Sequence, residues 1–339
     1  FMMSPISVAQ YLDPRMPRFD VVVFDEASQI PVWDAVGAIA RGRSTIIVGD
    51  RQQLPPTSFF HRSDDDDEEA GNQLEDLESI LDDCIGARLP WLRLRWHYRS
   101  RHESLIAFSN FHYYDNKLFT FPSTDASEVI GTGVSFRYVA DGIYDIGKTR
   151  TNRKEAEALV ADLVERLRRP EFSGSVGIVT LNVQQRTLIE DLIDQARIQH
   201  PEIENHLSEE ADEPVFIKNL ENVQGDERDV IMFSIGYGPD IRGKISMNFG
   251  PMNRDGGHRR LNVAITRARR EVVVFGSLRA DQIDLARTKA QGVKDLKAYL
   301  DYAERGFRAI AEVTEHDKEA DFDSPFEEEV YTRLTNLGW

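Results

Sequence analysis

Cysteine is almost absent: Cys84 stands alone in the chain, which excludes an internal disulfide and any thiolate metal cluster. No apolar run approaches the length needed to cross a bilayer, and no secretory leader pattern is visible. The expectation is a reducing, cytoplasmic compartment with no membrane partner. Basic charge is in deficit, with 41 Lys and Arg against 58 Asp and Glu and a net charge of −17. That excludes nucleic-acid binding through the surface as a whole and leaves room only for a local basic channel. A glycine-rich phosphate loop is missing from the first 20 residues, although the carboxylate-ended strand after them calls for one. What is present is ordinary for a globular protein: 339 residues, 41% hydrophobic and 29% charged, enough for two domains with substantial cores. Acidic residues gather in Asp64-Asp65-Asp66-Asp67-Glu68-Glu69 and in the tail between Glu312 and Glu329. The first run reads as a solvated loop, since no glycine-turned ligand spacing marks a metal site.

The most informative stretch is a hydrophobic run closed by two carboxylates. Val21-Val22-Val23-Phe24 reads as a buried strand of an α/β fold, and Asp25-Glu26-Ala27-Ser28 falls at its carboxyl end, where such sheets place their chemistry. An Asp there can hold Mg²⁺, and an adjoining Glu can direct a hydrolytic water at a nucleotide. A carboxylate that merely caps the next helix is the plainer alternative. A second strand, Ser44-Thr45-Ile46-Ile47-Val48-Gly49-Asp50, enters Arg51-Gln52-Gln53-Leu54-Pro55-Pro56-Thr57, whose prolines forbid helix. A helix expected over 32–40 separates the strands, as in a parallel sheet. Gln53, neutral and at the mouth of the second strand, suits a γ-phosphate sensor. Ser4-Pro5-Ile6-Ser7 reads as a turn after a possible strand, and a further helix is expected over 74–84.

From Leu94 onward a second α/β unit fits. Strands are expected over 134–139, 175–181, 229–235 and 271–276, with helices over 153–168, 183–196 and 260–268. Three polar segments punctuate it: Trp96-His97-Tyr98-Arg99-Ser100, then Glu221-Asn222-Val223-Gln224-Gly225-Asp226-Glu227, then Arg259-Arg260-Leu261-Asn262-Val263-Ala264-Ile265-Thr266-Arg267-Ala268. Singly, these are a solvated turn or a helix whose arginines complement its dipole. Together they supply arginines that a facing domain could bring to a phosphoryl-transfer transition state.

In this order, Asp25-Glu26-Ala27-Ser28, Gly49-Asp50 through Pro56, His97-Tyr98-Arg99, Gln224-Gly225-Asp226-Glu227 and Arg260 through Ala268 resemble the motifs of superfamily 1 helicases. The nearest branch is the one containing the nonsense-mediated-decay helicase and its bacterial relatives, and the resemblance covers residues 1–280. It implies two RecA-like, parallel-sheet P-loop NTPase lobes, the first truncated at its N-terminus. Residues 1–93 would be the C-terminal part of the first lobe and 94–310 the second. Residues 311–339 would be a linker and the start of a nuclease-like domain, because Ser324-Pro325-Phe326-Glu327 and the helix after it look like the opening of restriction-endonuclease-like domains. The implied activity is ATP-dependent helicase or translocase action on single-stranded nucleic acid, DNA or RNA, using ATP and Mg²⁺ and needing the missing N-terminal part of the same protein. The fragment alone is expected to hydrolyse ATP poorly.

Residue by residue, the resemblance makes Asp25 and Glu26 the metal and water carboxylates. It brings Gln53, Arg99 and Arg267 to the γ-phosphate, and Gly225 and Glu227 to the phosphate or ribose side of the nucleotide. Ser4, Ser7, Pro56, Thr57, Thr180, Asn182 and Asn222 fall where the family contacts the strand. His97 stands where the family usually has glutamine, and Thr180-Leu181-Asn182 where it usually has Thr-Pro-Tyr. A different class remains open, a non-catalytic nucleic-acid or protein-binding module on a degenerate ATPase fold. Retention of Asp25, Glu26, Gln53, Arg99 and Arg267 argues against it, since a retired site has no physical need of all five.

Gly142-Ile143-Tyr144-Asp145-Ile146-Gly147-Lys148-Thr149 matches the phosphate-loop pattern literally. It is rejected on physical grounds. Asn152-Arg153-Lys154-Glu155 reads as a capping box that starts the next helix at Arg153, too late for the helix to open on the loop. Anionic Asp145 and bulky neighbours would also line what should be a nest of bare amides. A circularly permuted GTPase would explain the order but leave the arginine helix and the Gln-Gly-Asp-Glu turn without a purpose.

Overall fold

The computed structural model describes residues 1–56, 79–121 and 132–316, together with Glu329 and Arg333. Thr57, the acidic run and most of the segment expected to resemble a nuclease therefore lie outside the described residues.

The first unit is small. Strands β1 (Phe19–Phe24) and β2 (Gly42–Ile47) pair in parallel, with Phe19 opposite Gly42 and Phe24 opposite Ile47. Helix α2 (Val32–Ile39) connects them, and α1 (Pro5–Tyr11) and α3 (Ile80–Gly86) complete the unit. Its core is Phe24, Ala27, Ala35, Ala38 and Ile80. The expectation that both strands are buried holds only in part, since Val23 is 60% and Ile46 is 51% exposed. Parallel strands are normally covered on both faces, and among the described residues this sheet has two strands. Ser4 to Ser7 is not a turn after a strand. Ser4 is the N-cap of α1, its Oγ accepting from the Ser7 N–H at 3.1 Å, with Pro5 in the first helical position.

The second unit is built on a five-stranded, all-parallel sheet in the order β3-β7-β6-β4-β5. Its strands are β3 (Gly133–Tyr138), β4 (Val176–Thr180), β5 (Phe216–Asn219), β6 (Arg228–Ser234) and β7 (Ala268–Gly276). Side chains alternate across it as a two-sided sheet requires. Val230, Met232, Val273 and Phe275 pack under α5 (Arg153–Leu167) and α6 (Val183–Gln199). Ile231, Phe233, Val272 and Val274 face α4 (Ser104–Tyr113), α8 (Gly257–Ile265) and α9 (Gln291–Arg305). The short α7 (Glu204–Leu207) follows α6, and α10 (Phe307–His316) packs against α9 and α4, placing Ala309 in the same core. The arginine helix starts and ends earlier than expected. Thr266 is its C-cap and β7 begins at Ala268, so Arg267 sits in the turn between helix and strand.

Helix α5 starts at Arg153 as expected, with the Asn152 side chain accepting from the Glu155 N–H at 3.3 Å. The reciprocal half of the box is absent. Glu155 turns inward, accepting from Ser234 Oγ and the Gly236 N–H, each at 2.6 Å, and Gln185 takes the Asn152 N–H at 2.8 Å. Burial pushes the Glu155 carboxyl up to about 8. The loop before this helix is closed on itself: the Asp145 carboxylate accepts from the Thr149 N–H at 3.3 Å and from Thr149 Oγ1 at 3.2 Å. The amide and hydroxyl of Thr149 are thus already taken by the protein's own anion. Among the described residues no helix is long and apolar enough to cross a membrane.

Candidate active site between the two sheets

The carboxyl end of β1 and the turn after β2 meet the second unit at one cleft. Glu26 adopts a left-handed backbone (φ 51°) as the chain leaves β1, and its N–H donates to Asp25 Oδ1 at 3.0 Å. This conformation is uncommon for a residue with a side chain, and such positions concentrate at functional sites. Both carboxylates are exposed. Gly49 passes so close that a Cβ on it would lie 2.9 Å from the Ser28 nitrogen. A glycine is therefore what sets Asp50 beside the Asp25-Glu26 turn. Asp50 then organises its own loop, accepting from the Gln52 N–H at 2.9 Å and from Gln53 Nε2 at 3.2 Å. Leu54, 4% exposed, inserts into the core of the second unit and fixes the two units together.

The second unit answers with two arginines. Arg99, half-buried, donates through Nε to Glu227 Oε2 at 2.6 Å and through Nη1 to the Thr266 carbonyl at 3.4 Å. Arg267 is 2% exposed; its Nε donates to the Val263 carbonyl at 2.8 Å and its Nη2 to Thr266 Oγ1 at 3.2 Å. Among the described residues no carboxylate lies within ion-pair distance of it. Burial, then the charge of Arg99, lowers the Arg267 guanidinium to about 10, against the opposing fields of Glu26, Tyr114 and Glu227. Arg260, at the other end of the arginine segment, does not face the cleft. It is 1% exposed and bonds Glu221 at 2.7 Å, tying α8 to the turn that carries Gln224 and Gly225.

His97, in the position usual for glutamine, closes the turn leading to Arg99: its Nε2 lies 2.8 Å from Ser100 Oγ and accepts the Ser100 N–H at 3.2 Å. Burial, then Arg99 and Arg267, lowers it to about 4. The ring is thus neutral at physiological pH and adds no charge to the arginine pair.

The structure brings Glu26, Gln53, Arg99, Glu227 and Arg267 to this cleft, with Asp25 beside Glu26. Gly225 is exposed at φ 88°, a backbone that side chains resist. The residues expected on a strand are scattered by environment. Ser4 and Asn222 are exposed and Ser7 is half-buried. Pro56, Thr180 and Asn182 are buried. Thr180 Oγ1 donates to the Asn182 carbonyl at 2.8 Å, and Asn182 Oδ1 caps α6 through the Gln185 N–H at 2.7 Å. Asn182 Nδ2, however, is buried with no partner among the described residues. Sequence reasoning passed over Tyr114, Asn262 and the side chain of Gln224, all of which cross the cleft to the first unit. Gln224 and Asn262 sit inside recognised motifs. Tyr114 closes a helix with no apolar period, and nothing in the sequence marks it.

A family model described as an AAA domain matches residues 77–279, and a second of the same description matches residues 6–60. The uncharacterized ATP-dependent helicase MG140 of Mycoplasma genitalium is 33% identical over 298 residues, 84% of this chain and 25% of that protein. The MG140 homolog of Mycoplasma pneumoniae is 34% identical over 310 residues, 87% of this chain and 26% of that protein. The chain belongs to the superfamily 1 helicases. Within them it falls in the branch of the nonsense-mediated-decay helicase, and it spans about a quarter of the length of these relatives. The arterivirus nonstructural protein 10 helicase superposes with a TM-score of 0.38 at 13% identity, over 81% of this superfamily 1 chain and 43% of the viral one.

Proposed function

We propose that this chain forms the hydrolytic cleft and second motor lobe of an ATP-dependent helicase or translocase that moves along single-stranded nucleic acid. Arg267 carries the reading. A guanidinium buried to 2% exposure, with no carboxylate at ion-pair distance among the described residues, is costly until an anion meets it. A γ-phosphoryl group, whose charge is spread over its oxygens in the transition state while negative charge builds on the leaving phosphate, is the anion the cleft suits. Arg99, held by Glu227, would join it, and Gln53 would bond a γ-phosphate oxygen. Glu26 would orient the attacking water.

The residues fit a magnesium ion in one respect. Asp25 presents an exposed carboxylate at the strand end, while the described residues include no group of three ligands that could hold a metal alone. Magnesium characteristically keeps waters and takes one or two carboxylates plus substrate phosphates, so Asp25 would hold it together with the nucleotide. When bound, the ion neutralises charge on the phosphates. The lysine of the phosphate cradle would come from further parts of the first lobe, which would also cover the exposed Val23 and Ile46.

Ser4, Ser7 and Asn222 would contact the strand through its phosphates, and Asn182 through its Nδ2, which has no partner among the described residues. Pro56, Thr57 and Thr180 would shape the path. Contacts of this kind are weakly sequence-specific. The free Cys84 accords with a reducing cytoplasm.

The test uses the full-length protein with ATP and a single-stranded oligonucleotide. Strand-stimulated hydrolysis should be present and should fall at least about 100-fold in Glu26→Gln, with nucleic-acid binding retained. Binding without hydrolysis in the unaltered protein would favour the non-catalytic module instead.

A further inference from the structure

Three side chains of the second unit reach across the cleft, and their hydrogen bonds join into one chain. Asn262 Nδ2 donates to the Gln52 carbonyl at 2.9 Å and to the Tyr114 oxygen at 2.9 Å. The Tyr114 hydroxyl donates to Asp50 Oδ2 at 2.7 Å, and the same oxygen accepts from Gln53 Nε2 at 3.2 Å. Gln53 Oε1 in turn accepts from Gln224 Nε2 at 3.3 Å, and that nitrogen also donates to Glu26 Oε2 at 3.2 Å. The directions are forced. A backbone carbonyl and an ionised carboxylate only accept, so Asn262 must present its NH₂ and Tyr114 must give its proton to Asp50. Burial, then the Asp50 charge, pushes the Tyr114 phenol well above its ordinary range. It therefore remains a donor at every working pH.

We propose that Tyr114 and Asn262 are positioning residues for ATP hydrolysis, fixing the Asp50 carboxylate and through it the Gln53 carboxamide, so that the state of the γ-phosphate is transmitted to the second lobe. This rests on the motor reading above. Gln53 uses the same NH₂ group toward Asp50 that it would turn toward a γ-phosphate oxygen. When that group leaves Asp50, the carboxylate keeps the Tyr114 hydroxyl as its cross-cleft donor. Tyr114 is the C-cap of α4, the helix that follows the turn bearing Arg99. Asn262 lies one turn before Thr266, whose Oγ1 bonds the Asn262 carbonyl at 2.7 Å, and Arg267 comes next. Both arginine-bearing segments are thus tethered to the loop that carries the sensor glutamine.

The experiment measures strand-stimulated ATP hydrolysis by the full-length protein, using oligothymidine and oligouridine as separate probes. The unaltered protein, Tyr114→Phe, Gln53→Ala and the double variant are compared. Tyr114→Phe removes one oxygen from a ring that keeps its packing. It should lower kcat about tenfold while KM for ATP stays within about twofold. The double variant should be no slower than Gln53→Ala, because the tyrosine acts through that glutamine. An unchanged kcat in Tyr114→Phe, or losses that multiply in the double variant, would overturn the proposal. A role in folding alone would lower Tm without this split between kcat and KM, and it would also overturn it. Absence of hydrolysis by the unaltered protein would instead sink the motor reading itself.

Discussion

Leu54→Ala should loosen the first unit from the second without disturbing the second sheet. Leu54 is 4% exposed and belongs to the core of the second unit although it follows β2 in sequence. Its N–H donates to Gln224 Oε1 at 3.2 Å, and that bond survives the substitution because it uses the backbone. What is lost is three buried carbons, roughly 2.4 kcal/mol at about 0.8 kcal/mol each. Incomplete closure of the cavity brings the total to about 3 kcal/mol. Because the side chain spans two units, this loss falls on their docking. Amide hydrogen exchange resolves it: the β1 and β2 amides should exchange about a hundredfold faster, while those of β6 and β7 keep their rates. Leu54→Met, which conserves volume, should change either by less than about tenfold. Equal acceleration in both sheets, or none in β1 and β2, would refute the reasoning.

Acid should weaken the fold through His97. Its folded value is lowered from 6.5 to about 4, so between these values the unfolded chain binds the proton and the folded one does not. Stability is then full above pH 6.5 and falls as pH drops toward 4; thermal melts at pH 7 and pH 5 should show this part of the slope disappear in His97→Gln. Glu271 holds Arg166 by two bonds of 2.6 and 3.2 Å, with the side chains only 7% and 13% exposed. Glu271→Ala leaves that guanidinium Asp162 as its one carboxylate partner among the described residues, and should cost about 1.5–3 kcal/mol in urea unfolding; a loss below about 0.5 kcal/mol would count against the pair. Gly225→Ala meets open space but must hold φ 88°, so it should cost about 1–2 kcal/mol in the same assay from backbone strain alone.

The sequence was legible where chemistry and fold coincide in one short segment. The central strands β4, β6 and β7 are apolar runs bounded by polar turns, and Asn152 announces the start of α5. Burial was less legible, because it depends on neighbours: Val21-Val22-Val23-Phe24 has the composition of a covered strand, yet only Phe24 is buried. Strand β5 has four residues, too few to show a period, and α4 is apolar on most sides. Glu155 has the spacing of a capping box, but the carboxyl ends of β6 and β7 offer its side chain better partners than its own helix does. At the cleft, the arginines could be named from their motifs. The isolation of Arg267 among the described residues could not, because it depends on which carboxylates fail to reach it. The bond from Tyr114 to Asp50 joins residues 64 positions apart, beyond the reach of any local pattern.

The proposed motor requires that the carboxylates of the first unit and the arginines of the second form one hydrolytic cleft. Its most direct test is kcat for strand-stimulated ATP hydrolysis by the full-length protein carrying Arg267→Ala. An arginine that stabilises the transition state contributes about 10³-fold or more, so kcat should fall by that order while nucleic-acid binding is kept. A kcat equal to that of the unaltered protein would place Arg267 outside the hydrolytic reaction.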